Sequence, residues 1–309
     1  MNDHDWQPLL SYCRAGIAEV VKFGAISWVS GTDVIHETGG NPLCFGRSLM
    51  KPWQMKGITA ELAEVLNKQQ QALSLASHNA ELTHLTCAKS ILPEIEHALL
   101  KTPSCLPLMP NEQVSTADKW NHPCSGKHAA IIRACQLNHW PLQDYLSETH
   151  PYHQVFIQAI RSVIGENWQP QAVAIDGCGL PAFSQSVREM AQLFASLVTT
   201  QHDDWIWSAM VDNPDLIGGN GRLDSAIMTA GKGKVLAKEG ADGLLGLAID
   251  HPKYPDGLGI VIKLSHGWDG TASGFVAAHL LASLGIDLPL PTAPEGQTAQ
   301  VADNLCPRV

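Results

Sequence analysis

Charge is scarce in this 309-residue chain, and positive charge is the scarcer kind. Only 16% of its residues are Asp, Glu, Lys or Arg, and 20 Lys plus Arg stand against 30 Asp plus Glu, giving a net charge of −10. A surface of that sign repels phosphate backbones and anionic lipid, so neither nucleic acid nor membrane is an expected partner. No apolar run reaches the roughly 18 residues a membrane-spanning helix needs. The opening "MNDHDWQPLLSYCRAG" lacks a basic head followed by an apolar core, so no secretory signal is expected. There is no internal repeat, no low-complexity segment and no Cys-x-x-Cys. The eight cysteines (13, 44, 87, 105, 124, 135, 178 and 306) are scattered. They read as reduced thiols of a cytoplasmic protein, a subset of which could bind metal, and not as a disulfide framework.

What is present is the material of a compact core: 45% of the residues are hydrophobic. The length suits one large domain or two small ones. The first 45 residues read as strands, with "GIAEVVKF", "GAISWVS" and "VIHETG" rich in β-branched residues around a "SGTD" turn. The middle carries apolar residues at three- and four-residue spacing in "PWQMKGITAELAEVLNKQ", "ILPEIEHALLK", "GKHAAIIRACQL" and "HQVFIQAIRSVIGE", the period of helices. From about residue 232, "GKVLAKEG", "GLLGLAID" and "GLGIVIKLS" return to strand texture. "TASGFVAAHLLASLG" then reads as a helix that Gly285 is placed to stop.

The expected fold is therefore α/β of the α+β type. Helices flank an antiparallel sheet built from both termini, and a mostly helical lobe is inserted. The expected division of the single catalytic domain, residues 1–309, is a sheet lobe of 1–45 plus 232–285, a helical lobe of 46–231, and a Pro-rich surface tail of 286–309. A cleft between two such lobes is a common place for an active site.

Five short stretches carry chemistry. In "FGRSLMKPWQ", Ser48 and Lys51 share one helix face, and Pro52 fits a helix start. The free N–H groups of a first turn favour an anion, and a lysine in a dry cleft gives up its proton more easily and can then activate a serine. An N-cap serine before a surface lysine is the plainer alternative. "SLASHNAELTH" crowds Ser77, His78, Asn79 and Glu81 together, and the Ser77–Glu81 pair also nearly fits a capping box. "HPCSGKH" and "DGCGLP" put Cys124 and Cys178 in Gly-containing turns. By spacing, Cys124 with His128 is a plausible metal pair and Cys178 a third ligand, against the alternative of two small buried thiols. "VLAKEGADG" sets Lys238 at a strand end. "IGGNGRLDS" is a glycine-rich turn without the ending of a nucleotide loop.

Ser-x-x-Lys at a helix start, a second serine in a helical lobe and Lys-x-Gly on a late strand follow the order found in penicillin-recognising serine hydrolases, serine β-lactamases and serine-dependent glutaminases. A closer resemblance is carried by "RSLMKPWQ", "SHNAE", "CSGKHA", "DGCGLP", "GGNGR" and "KEGADG", in that order, from about residue 15 to 285. Together these resemble the asparaginase II family, the rhizobial-type L-asparaginases.

The resemblance implies a β-lactamase/transpeptidase-like fold and hydrolysis of L-asparagine to L-aspartate and ammonia through an acyl-enzyme. It implies two Ser–Lys pairs, Ser48 with Lys51 and Ser77 with Lys238. It also implies a zinc held by Cys124, Lys127 and Cys178, with His128 behind them. Backbone N–H groups of Ser48 and Ala241 are the oxyanion donors by analogy with the fold. Arg47, His78, Glu81, Asp176, Arg222 and Glu239 are candidate substrate-orienting residues. Two positions depart from the family pattern. Glu239 stands where Thr or Ser is expected, so the substrate's identity hangs on it, and Ala80 stands where glycine is expected. The competing readings are a β-lactamase, peptidase or glutaminase-like enzyme on the same fold, a plain zinc hydrolase, and a non-catalytic zinc or amino-acid binding relative. A small amide substrate and a homodimer complete the expectation.

Overall fold

The computed structural model describes residues 5–110 and 113–307. The chain opens with strands β1 (Gln7–Arg14), β2 (Ile17–Ser30), β3 (Asp33–Thr38) and β4 (Leu43–Phe45). A 3-10 turn over Arg47–Met50 leads into α1 (Lys51–Lys56), α2 (Thr59–Ala63), α3 (Lys68–Ser74) and α4 (Leu82–Ser90). Helices α5 (Ser125–Leu137) and α6 (Pro151–Ile164) follow, then β5 (Val173–Ile175) and β6 (Pro181–Ser186). After them come α7 (Val187–Thr199), α8 (Ile206–Val211), α9 (Pro214–Ile217) and α10 (Leu223–Gly231). Strands β7 (Val235–Gly240), β8 (Leu244–His251) and β9 (Tyr254–Leu264), helix α11 (Gly270–Ala282) and strand β10 (Thr298–Val301) complete the chain. Among the described residues no helix is long and apolar enough to cross a membrane.

Two compact units emerge. The first comprises Met1–Leu49, Gln185–Thr199 and Ala226–Val309, and the second Met50–Ser184 and Thr200–Ser225. The sheet of the first runs β10-β1-β2-β9-β8-β7, with β3 also on β2, and its pairs are antiparallel. The expectation of an antiparallel sheet drawn from both termini, flanked by helices, therefore holds, but a second, small sheet in which β5 pairs antiparallel with β6 interrupts the stretch expected to be mostly helical. The register explains how two helices cover it. Val29 lies opposite Gly259, and Ser27 opposite Val261, which lies opposite Gly246; these positions share the face on which α7 packs. Tyr12 lies opposite Val20, on the other face, and its ring meets Phe275 of α11 edge-on at 6.3 Å.

Several elements differ from the expectation. Residues 17–30 form one 14-residue strand where two were expected. The predicted long helix after Pro52 breaks into α1, α2 and α3. The last of these restarts from a capping box, in which Asn67 Oδ1 accepts from Gln70 N and Gln70 Oε1 from Asn67 N, both at 3.0 Å. "ILPEIEHALLK" shrinks to a 3-10 turn over Glu94–Leu99.

Helix α7, expected within the helical lobe, belongs to the first unit because its buried stripe (Val187, Met190, Ala191, Phe194, Val198) packs on β2, β8 and β9. Nor is residues 286–309 only a surface tail: β10 pairs with β1, and Trp28 Nε1 donates to Leu305 O at 3.0 Å. Residues 308 and 309 of that stretch lie outside the described residues. The stop at Gly285 is as expected. Gly285 takes φ +73, its N–H reaches Ala282 O, and Ile286 N reaches Leu281 O, the pair of bonds of a Schellman cap.

Helix α7 approaches β9 so closely that a methyl on Gly259 would lie 1.9 Å from Ala191 O and 2.5 Å from Ala195 N. Both contacts are backbone, so the helix itself would have to move. Gly259→Ala should cost about 2–3 kcal/mol and lower the melting temperature by roughly 5 °C or more in a thermal denaturation experiment.

Candidate active site

Lysine is the residue least at home in a protein interior, yet Lys51, Lys127 and Lys238 are all less than 2% exposed. Each is compensated in its own way. Lys51 is the first residue of α1, three after Ser48, which lies half-buried in the preceding 3-10 turn. Its Nζ donates to Ala76 O and Pro123 O (3.2 Å), and reaches Ser77 Oγ at 3.0 Å. The lysine expected to serve Ser48 thus binds the serine expected to pair with Lys238. Lys238, on β7 of the first unit, donates to Glu239 O at 2.9 Å.

The Ser77 segment has no regular structure, and residues 217–222 hold it in place. Ser77 N donates to Ile217 O (2.8 Å) and Asn79 N to Gly218 O (3.0 Å). Arg222 Nη1 donates to Ser77 O (2.7 Å), and Asn220 N donates to Glu81 Oε1 (2.8 Å). Arg222 and Glu81, expected to orient substrate, are thus engaged in holding Ser77. The expected cap on Ser77 and Glu81 falls instead on Glu81 and His84, which form a capping box for α4.

His78 is fully buried, and both its ring nitrogens are used. Nδ1 accepts from Ala80 N at 3.1 Å, so Nε2 carries the proton and donates to Ser125 Oγ at 2.9 Å. This bond ties the Ser77 segment to the start of α5. Ala80 sits at φ +57, the left-handed region in which the expected glycine would rest without penalty.

Helix α5 begins at the sulfur site. Cys124 is its N-cap residue, Lys127 stands in its first turn, and Cys178 reaches them from the turn between β5 and β6. The two thiols hydrogen-bond each other, and Lys127 Nζ lies 3.7 Å from Cys178 Sγ. The bond to Cys178 holds the Cys124 thiol well below its usual range, helped by the cations of Lys51 and Lys127. Cys178, its partner in that bond, is pushed up correspondingly. Burial alone would push the Lys127 ammonium down, but Cys178, Cys124 and Asp176 outweigh it and the group is raised. Asp176 accepts from Gly177 N at 2.7 Å and faces the Cys178 thiol at 3.9 Å. His122, not singled out by the sequence reading although its motif was, bonds Cys124 N through Nδ1 at 3.1 Å and also the Cys124 side chain.

His128 is engaged by Tyr145. Tyr145 Oη accepts from Lys101 N at 3.0 Å and shares a 3.0 Å hydrogen bond with His128 Nδ1. His128 Nε2 is buried and has no hydrogen-bond partner among the described residues. Among the described residues no group of three or more His, Cys, Asp or Glu side chains is arranged to hold a metal ion. The candidate set differs in that its third member is a lysine.

In the first unit Arg47 Nη1 donates to Asp242 Oδ2 at 2.5 Å, and Glu239, only 6% exposed, neighbours Lys238 on β7. Ala241 opens the turn that follows.

A family model described as L-asparaginase II matches residues 10–304. The chain belongs to the L-asparaginase II family. At family level this makes it an asparagine amidohydrolase acting on a small molecule. No curated protein matches the chain. The match embraces all six blocks from "RSLMKPWQ" to "KEGADG".

Burial holds the imidazoles of His78 and His128 well below the usual range, and that of His153 at about 4. The unfolded chain takes up protons at all three near pH 6.5, and the folded chain resists until much lower pH. The unfolded state therefore binds more protons across that window, and stability falls as pH drops from roughly 6.5 towards 4. Thermal denaturation should show the melting temperature falling steadily over this range. A melting temperature unchanged from about pH 7 to pH 4.5 would contradict the neutral, buried assignment.

Proposed function

We propose that this protein hydrolyses L-asparagine to L-aspartate and ammonia through an acyl-enzyme on Ser48. The observation that carries the reading is Lys51: an amine with no access to water, three residues after a serine at a helix start, within 3.0 Å of a second serine. Two of its hydrogen-bond partners are carbonyls, Ala76 O and Pro123 O. Once it gives up its proton, the amine can donate two N–H bonds to this pair and keep its lone pair for a hydroxyl, as a general base must.

Ser48 Oγ attacks the side-chain carboxamide carbon and gives its proton to Lys51 Nζ. The oxyanion is received by the N–H groups of Ser48 and Ala241, where one donor is typically worth roughly 3–4 kcal/mol. Ser77, held by Lys51 and paired with Lys238 by the resemblance, passes a proton to the departing nitrogen, and ammonia leaves. Water then cleaves the ester and releases aspartate. His128 Nε2 is placed to meet a polar group of the substrate or a water, and Glu239 suits a substrate ammonium better than a carboxylate.

Zinc belongs to the same proposal. Two mutually bonded, buried sulfurs with an amine beside them suit a soft-liking ion, and the proton on Lys127 would leave as metal binds. Cys124, Lys127 and Cys178 would hold it. Bound there, the ion supplies Lewis-acid polarisation of the substrate's polar groups and leaves nucleophile generation to Ser48. A homodimer in the cytoplasm completes the reading, and the free state of all eight cysteines supports a reducing compartment.

Ser48→Ala should lower ammonia release from L-asparagine by about a thousandfold or more while leaving the melting temperature unchanged. Full activity in that variant would sink the serine mechanism. Elemental analysis of the purified protein should find about one zinc per chain, lost in Cys178→Ser. Chelation should raise KM more than it lowers kcat.

A further inference from the structure

The turn that follows β7 contains a left-handed residue that is not glycine, Asp242, at φ +59 and ψ +35. A second such residue, Arg47 at φ +47, immediately precedes Ser48. Non-glycine residues in this region cost about 1 kcal/mol or more each and persist where their surroundings over-determine them. Here the two are joined to each other: Arg47 Nη1 lies 2.5 Å from Asp242 Oδ2. Asp242 is also gripped from its backbone. Lys263 Nζ, on β9, donates to Asp242 O at 2.6 Å and to Leu264 O at 2.8 Å.

The two backbones so joined also touch. A methyl built on Gly240 would lie 3.1 Å from Leu49 Cβ and 3.3 Å from Leu49 N. The end of β7 thus abuts the chain one residue after Ser48, and Ala241 stands between Gly240 and Asp242 in that turn.

We propose that Arg47 and Asp242 form a clasp that sets the separation of the Ser48 and Ala241 N–H groups, making both positioning residues for oxyanion stabilisation. The inference rests on the acyl-enzyme reading and reassigns Arg47, which the sequence reading gave to the substrate. Each clasp residue adjoins one N–H donor, and each holds the strained backbone that aims it. The pair cannot owe its presence to stability alone: the Asp242 side chain is 68% exposed, and ion pairs so exposed contribute little to folding. A loss of aim, by contrast, acts directly on the rate, because an oxyanion donor is worth most at its correct distance.

The test compares Asp242→Asn, which keeps a side chain tolerant of the left-handed turn, with Arg47→Gln and the double variant. Steady-state kinetics on L-asparagine, thermal denaturation and hydrogen–deuterium exchange are measured on each full-length protein. The clasp predicts that kcat falls on the order of tenfold in each single variant and by no more in the double. KM should stay within about twofold and the melting temperature within about 2 °C, with faster exchange over residues 240–244. Losses that multiply in the double variant, a rise in KM at constant kcat, or unchanged exchange would each overturn it. If the unaltered protein releases no ammonia from L-asparagine, the acyl-enzyme reading fails, and the exchange experiment still decides whether the clasp exists.

Discussion

Burying an ammonium group costs several kcal/mol even after relaxation, and this fold does so repeatedly. Lys51, Lys127 and Lys238 are sealed from solvent and Lys263 nearly so. Much of the local architecture is the compensation that burial demands. The carbonyls of Ala76 and Pro123 turn inward to Lys51, and that orientation fixes both the Ser77 segment and the approach to α5. The sulfurs of Cys124 and Cys178, at the N-terminus of α5, answer Lys127. The carbonyls of Asp242 and Leu264 answer Lys263. In each case the groups that neutralise or solvate the lysine also set the position of a candidate reacting group.

The same economy explains the polar residues around Ser77. A segment without helix or strand must find partners for its backbone elsewhere. Residues 217–222 supply them, through Ile217 O, Gly218 O and Arg222, with Asn220 N reaching back to Glu81. His78 serves from the other side by bonding Ser125 at the head of α5. A hydroxyl held this way has little freedom to reorient, which is the pre-organisation that proton transfer between a serine and an amine requires.

The sequence made some of this plain. Ser48, Lys51 and Pro52 mark a helix start through local rules alone, and Gly285 ends α11 by the cap its spacing suggests. Strand texture at both ends was enough to anticipate a shared antiparallel sheet. Where the reading stopped short, the decisive interactions were long-range. Helix α7 has an apolar stripe of helical period, but nothing local says that the chain returns there to cover β2 and β9. The four residues of β10 follow a Pro-rich stretch and become a strand only because β1 offers an open edge. His128 seemed the natural metal ligand by spacing, yet its ring is claimed by Tyr145, 17 residues further on. Arg47, Glu81 and Arg222 read as candidate substrate contacts; that Asp242, Asn220 and Ser77 also engage them is visible only once the chain is folded.

The central claim is that Ser48 becomes covalently acylated. Peptide mapping by mass spectrometry of protein quenched in acid during turnover of L-asparagine tests it most directly. A β-aspartyl ester on the peptide containing Ser48, absent from Ser48→Ala, is the predicted result. An unmodified Ser48 peptide in a sample that is releasing ammonia, with acylation found at Ser77 or at no residue, would contradict the account.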